Sequence, residues 1–101
     1  MTKEFKTTVN TAKAELSILN ARASEYKECI EFFESAIALI EEKIDFILDH
    51  RDVLTHKEAT KVDELLSKYE STNAAYSKAV AEESDILKAI RALEMRLAWL
   101  V

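Results

Sequence analysis

Apolar residues recur through the first half of the chain at alternating steps of four and three positions. The series starts at Phe5 and continues without a gap to Ile47. A spacing of 3.5 residues held this long is typical of a helix that packs one narrow face against another helix. The pattern therefore predicts a first helix over about residues 4–49.

The apolar pattern stops after residue 49 and resumes beyond a helix-start signal. Thr55 and Glu58 have the spacing of a capping box, in which each side chain accepts a hydrogen bond from the other residue's backbone N–H. The residues beyond it regain helical spacing, which continues to Leu100. The sequence therefore predicts a turn over about residues 50–55 and a second helix over about residues 56–100.

The two apolar series are complementary when the chain folds back within the turn. Facing positions, such as Ile44 with Val62 and Leu16 with Ile90, then have position numbers that add up to nearly the same value. That match favours an all-α fold, a long antiparallel helical hairpin of coiled-coil type. We expect it to occupy residues 1–101 as a single helical domain.

The second series is less regular than the first. Its predicted core positions are, in chain order, Ala59, Val62, Leu66, Tyr69, Asn73, Tyr76, Val80, Glu83, Ile86, Ile90, Leu93, Leu97 and Leu100. We expect the polar Asn73 and Glu83 to set register and partner choice. Two consecutive steps of three predict local overwinding over residues 79–86. The segment Ser71-Thr72-Asn73 favours caps and turns, so a three-helix bundle broken there is the alternative.

Beside the core series, the first helix carries a second apolar set that widens its apolar arc to about 160°, at roughly 100° per residue. This set comprises Ile18, Cys29, Phe32, Ala36, Leu39 and Phe46. Trp99 is a further apolar residue that the paired series does not use. Such a surface predicts a partner, either a second copy that completes a dimeric four-helix bundle or a different protein. These seven residues are the predicted interface.

The composition argues against several fold classes and kinds of functional site. The chain contains no Gly and no Pro, which disfavours multi-stranded β folds and glycine-rich phosphate loops. We find no acid/base pair, no nucleophile with a base and no cofactor motif, so we predict a non-enzymatic protein without a cofactor. The leading hypothesis is a protein–protein interaction module, namely an adaptor, small chaperone or inhibitor.

The net charge of −5 is unevenly distributed, because residues 28–49 hold seven acids and one Lys. The predicted acidic face consists of Glu28, Glu31, Glu34, Glu41, Glu42, Asp45 and Asp49. Without a basic patch, we expect no direct nucleic-acid binding. The acidic face suggests an alternative function, an inhibitor or decoy of a nucleic-acid-binding protein, as in some phage counter-defence proteins.

Other chemically reactive residues have simpler interpretations. His50 and His56 lie among acids around the turn, but their spacing matches no metal motif, so we interpret them as a solvated turn and predict no metal site. We interpret Cys29, the only cysteine, as a small packed apolar residue. No apolar run reaches the roughly 18 residues of a membrane span. We expect a cytoplasmic protein without membrane association.

Overall fold

The computed structural model describes residues 2–49 and 53–100, which form two helices and no strand. Helix α1 spans Lys3–Asp49 and helix α2 spans His56–Leu100. The predicted all-α helical hairpin is confirmed, and α2 is unbroken at residues 71–73, so the three-helix alternative is wrong. Half of the predicted turn, residues 50–52, lies outside the described residues.

Both helices begin at a threonine cap. The Thr55 backbone N–H donates to Glu58 Oε1 at 3.1 Å, and the Glu58 backbone N–H donates to Thr55 Oγ1 at 3.2 Å. The predicted capping box is therefore confirmed. At α1, the Phe5 backbone N–H donates to Thr2 Oγ1 at 3.2 Å. These bonds satisfy backbone donors that the first turn of a helix leaves without helical partners.

The chain divides into two compact units, each built from a segment of both helices. The terminal unit comprises Met1–Glu28 and Val80–Val101, and the turn unit comprises Cys29–Ala79. In the terminal unit, Ala12, Ile90 and Leu93 are buried, and the other predicted core positions of α1 are half-buried. The apolar series of α1 is thus its packed face.

The turn unit has its buried residues at Ile40, Val62, Leu65 and Ala79. The prediction that Leu66 and Asn73 lie in the core is wrong. Leu66 is 44% exposed whereas Leu65 is 6% exposed. Likewise Asn73 is exposed, while its neighbour Thr72 is half-buried. In this unit Val62, Tyr69 and Tyr76 are packed as predicted, whereas at the alternate core positions the residue just before the predicted one is packed.

The chemistry of the side chains explains this choice. The Thr72 hydroxyl donates to the Lys68 carbonyl at 2.7 Å, so Thr72 is half-buried without losing a hydrogen bond. The amide of Asn73 would need several partners in the core and instead faces solvent. Small Ala79, in turn, lets α2 pack closely where Val80 remains 39% exposed.

The observed burial also removes the reason to predict overwinding over residues 79–86. With Leu65, Thr72 and Ala79 in place of their neighbours, steps of three and four alternate from Val62 to Leu100. The apparent slip arose because the predicted series used Leu66, Asn73 and Val80 instead of the residue before each of them. A regular spacing of this kind places these residues on one face of α2.

Candidate interaction surfaces

The most prominent apolar surface of the turn unit is a line on α1, which we name the aromatic stripe: Phe32, Leu39 and Phe46. Their side chains are 69%, 51% and 64% exposed. Each lies seven residues from the next, so all three share one side of the helix. Each also directly precedes a core position, which sets the stripe roughly 100° around α1 from the packed face.

The exposed Phe32 ring of the stripe packs against a half-buried neighbour. The ring of half-buried Phe33 meets the Phe32 ring edge-on, with 5.9 Å between centroids and 66° between planes. Beside the stripe, a shallow groove of about 350 Å³ is lined by Leu39, Phe46 and Leu65. Because Leu65 turns into this groove, α2 covers part of the stripe and leaves both phenylalanines exposed.

The other predicted interface residues differ in exposure and lie in different units. Ala36 is half-buried and Cys29 is exposed, so the interpretation of Cys29 as a packed residue is wrong. Ile18 and Trp99 belong to the terminal unit, where they are 54% and 88% exposed. The predicted set is therefore not one surface of one unit.

The acids of the predicted acidic face are all exposed. Six of the seven lie in the turn unit, which holds six Lys/Arg against eleven Asp/Glu, a net charge of −5. One of them, Glu34, accepts a hydrogen bond from the Tyr76 hydroxyl at 3.3 Å. The negative charge of Glu34 is the main cause that raises the pKa of Tyr76.

The terminal unit holds a groove of about 460 Å³ that the sequence pattern did not suggest. Ile18, Leu19 and Leu93 supply large apolar side chains, and Ala89 and Ala92 leave space between them. The charged residues that line it are Glu15, Arg22 and Arg96. Two alanines three positions apart on α2 were the only signal in the sequence. With eight Lys/Arg and eight Asp/Glu, this unit has no net charge.

A polar contact joins the helices within the terminal unit. The hydroxyl of half-buried Tyr26 donates to Glu82 Oε2 at 2.6 Å. Glu83, which the sequence placed in the core, is half-buried beside it on α2. A charged acceptor strengthens a hydrogen bond, so this pair constrains how the two segments align.

Two further observations concern ligands and lipid. Within residues 2–49 and 53–100, no three His, Cys, Asp or Glu side chains lie together as a metal-ligand group. His50, which we interpreted as part of a solvated turn, lies outside the described residues. Over the same described ranges, neither helix has an apolar stretch long enough to cross a bilayer.

The comparisons with known proteins leave the surfaces as the basis for function. No family model, no curated protein and no solved structure matches this chain. A functional conclusion must therefore come from the aromatic stripe, the acidic residues and the terminal groove.

Proposed function

We propose that this chain is a non-enzymatic protein–protein interaction module that binds another protein through the aromatic stripe. The single observation behind this proposal is the exposure of Phe32 and Phe46, each above 60%, on one side of α1. Aromatic side chains dominate the energetics of protein interfaces. A soluble chain that keeps two of them in water gains free energy when a partner covers them.

The size of the stripe supports the same conclusion. With aromatic side chains of about 150–250 Å² each, the three exposed fractions amount to roughly 350 Å² of apolar surface. The largest apolar patches on soluble proteins are of this size and often bind a partner. The adjoining groove at Leu65 offers room for one more apolar side chain from that partner.

The stripe suits a helix as its ligand. A partner helix with apolar residues at positions i, i+3 or i+4, and i+7 can place them between Phe32, Leu39 and Phe46. The net charge of −5 on the turn unit favours partners with basic residues beside those apolar positions. The proposed role is therefore that of an adaptor, chaperone or inhibitor that covers a basic amphipathic helix.

The test compares the proteins captured from a lysate of the source cells by wild type and by Phe32→Ser/Phe46→Ser. The matched control is Val53→Ser, which changes an 81% exposed apolar residue outside the stripe. For a partner held by two hot-spot aromatics, we expect affinity to fall by about 30-fold or more in the double variant. The proposal fails if wild type and double variant capture the same proteins equally well.

A second candidate is an acidic decoy that occupies the nucleic-acid site of a basic protein. Exposure of all seven acids favours it, because charges in water remain available to a basic partner. Reversing Glu34, Glu41 and Asp45 to Lys separates the two candidates. The decoy requires binding to be lost in this triple variant and kept in the double serine variant. The interaction module requires the double serine variant to lose more affinity than the triple variant.

A further inference from the structure

We propose that the terminal unit is a self-association site, in which Trp99 of each copy inserts into the terminal groove of a second copy. Trp99 is 88% exposed, the highest value among the large apolar residues described as exposed. The groove lies on the same unit and has an apolar lining. This inference is independent of the aromatic stripe and goes beyond the proposed partner binding.

The outward side of α2 has a helix-pairing pattern of its own. Ala92, Met95 and Trp99 follow the spacing i, i+3 and i+7, so they lie on one side of α2. This side differs from the packed one, since Ile90, Leu93 and Leu97 are buried or half-buried while Met95 and Trp99 are exposed. Thus α2 presents two faces with helix-pairing periodicity, of which the chain itself covers one.

A two-fold axis makes the outward face complementary to itself. If the α2 helices of two copies pack antiparallel with the axis beside Met95, Trp99 of each copy lies opposite Ala92 of the other. The large indole thereby meets the smallest side chain of the face. Because Ala92 also lines the groove, the indole is directed into it. One operation therefore fills both grooves.

The charged residues of the groove suit an indole. Arg22 and Arg96 line it, and guanidinium groups stack favourably on the face of Trp. Glu15 lies in the same lining and offsets part of the positive charge. The terminal unit has no net charge, so two copies approach without the repulsion that opposes pairing of two turn units.

The area involved predicts a dimer of modest strength. Trp99 contributes about 200 Å² per copy, since an aromatic side chain buries about 150–250 Å². With Met95, Ile18 and the groove lining, the total for both copies reaches roughly 1,000 Å², the lower limit for a specific interface. We therefore expect a dimer that dissociates on dilution, and its second copy is the occupant that this surface fits.

Sedimentation equilibrium and tryptophan emission test this proposal on the same samples. Trp99 is the only tryptophan, so its emission reports the groove directly. We expect wild type to dimerise as concentration rises, with emission shifting to the blue. Trp99→Ala should raise the dimer dissociation constant by about 30-fold or more, as expected for a hot-spot aromatic. Ala92→Lys should block the groove and keep the emission of Trp99 red.

The controls are Leu87→Ala, which alters an exposed apolar residue on another side of α2, and Phe32→Ser/Phe46→Ser. Both should leave the dissociation constant within about threefold of wild type, the scale of neutral surface substitutions. Circular dichroism verifies that each variant remains helical. A wild-type protein that stays monomeric with red emission overturns the proposal. A dimer that survives Trp99→Ala also overturns it. If that dimer is lost in Phe32→Ser/Phe46→Ser, self-association belongs to the aromatic stripe.

Discussion

The terminal unit and the turn unit are made from the same two helices but differ in how well the spacing of apolar residues predicts which residues of α2 are buried. In the terminal unit, Ile90 and Leu93 are buried, as the spacing of apolar residues predicts. In the turn unit, Leu65 and Ala79 are buried one residue before the predicted positions. The width of the apolar surface on α1 accounts for the difference. Where α1 carries the aromatic stripe, α2 buries Leu65, which lines the groove beside Leu39 and Phe46.

The units also differ in charge, and this separates their proposed roles. The terminal unit is neutral and the turn unit carries −5. A neutral apolar surface can meet a copy of itself, whereas an acidic one favours a partner of opposite charge. An apolar stripe alone therefore does not specify which partner binds. The charge around the stripe also contributes to that choice.

The largest expected effect concerns the burial of Leu65 instead of Leu66 in the turn unit. Leu65→Ala should lower the free energy of unfolding by about 2–4 kcal/mol, because it removes a buried side chain. Leu66→Ala, the matched control one position away, should cost less than about 1 kcal/mol because Leu66 is 44% exposed. Urea denaturation of both variants measures the two losses. Equal losses, or a larger loss at Leu66, would restore the face that the apolar pattern suggested.

We expect a smaller loss of unfolding free energy when the hydrogen bond between the helices is removed in either unit. Tyr26→Phe in the terminal unit should cost about 1 kcal/mol, since it removes a 2.6 Å bond to the Glu82 carboxylate from a half-buried site. Tyr76→Phe in the turn unit removes a 3.3 Å bond to Glu34 and should cost less. Thermal and urea unfolding of both variants ranks them. If Tyr76→Phe is the more damaging change, the terminal unit is not the one with the stronger polar contact.

The smallest effect is the titration of Tyr76. The nearby Glu34 carboxylate raises the pKa of Tyr76 above its ordinary value of 10.0, because the phenolate would face a second negative charge. A raised pKa means that folding favours the protonated phenol. The resulting stabilisation is present below the pKa of the unfolded chain and is lost as pH rises through the folded pKa.

Site-resolved NMR of labelled tyrosine measures this titration. We expect Glu34→Gln to bring the pKa of Tyr76 back towards 10.0, because the charge that raises it is gone. Glu41→Gln is the matched control, as it removes another exposed acid of the same unit. If both variants shift the pKa of Tyr76 equally, the cause is the general charge of the turn unit rather than the contact with Glu34.

Most of the fold was predictable from local signals. The 3.5-residue spacing from Phe5 to Ile47 defined the packed face of α1, and the pair Thr55 and Glu58 located the start of α2. These succeed because they depend on a few neighbouring residues and on helix geometry that does not vary. The exposed stripe was predictable for the same reason, since Phe32, Leu39 and Phe46 lie off the core series by a fixed angle.

Other features depended on where the second helix came to lie. The choice of Leu65 over Leu66 depended on the apolar surface that α1 presents beside it. Pairing of Tyr26 with Glu82 joins residues 56 positions apart, which no local pattern encodes. The sequence by itself determined the helices, the capped start of α2 and the packed face of α1. Only the tertiary structure decided which of two neighbouring side chains entered the core and which lined a groove. Packing depends on the shapes and hydrogen-bond partners of residues that lie far apart along the chain.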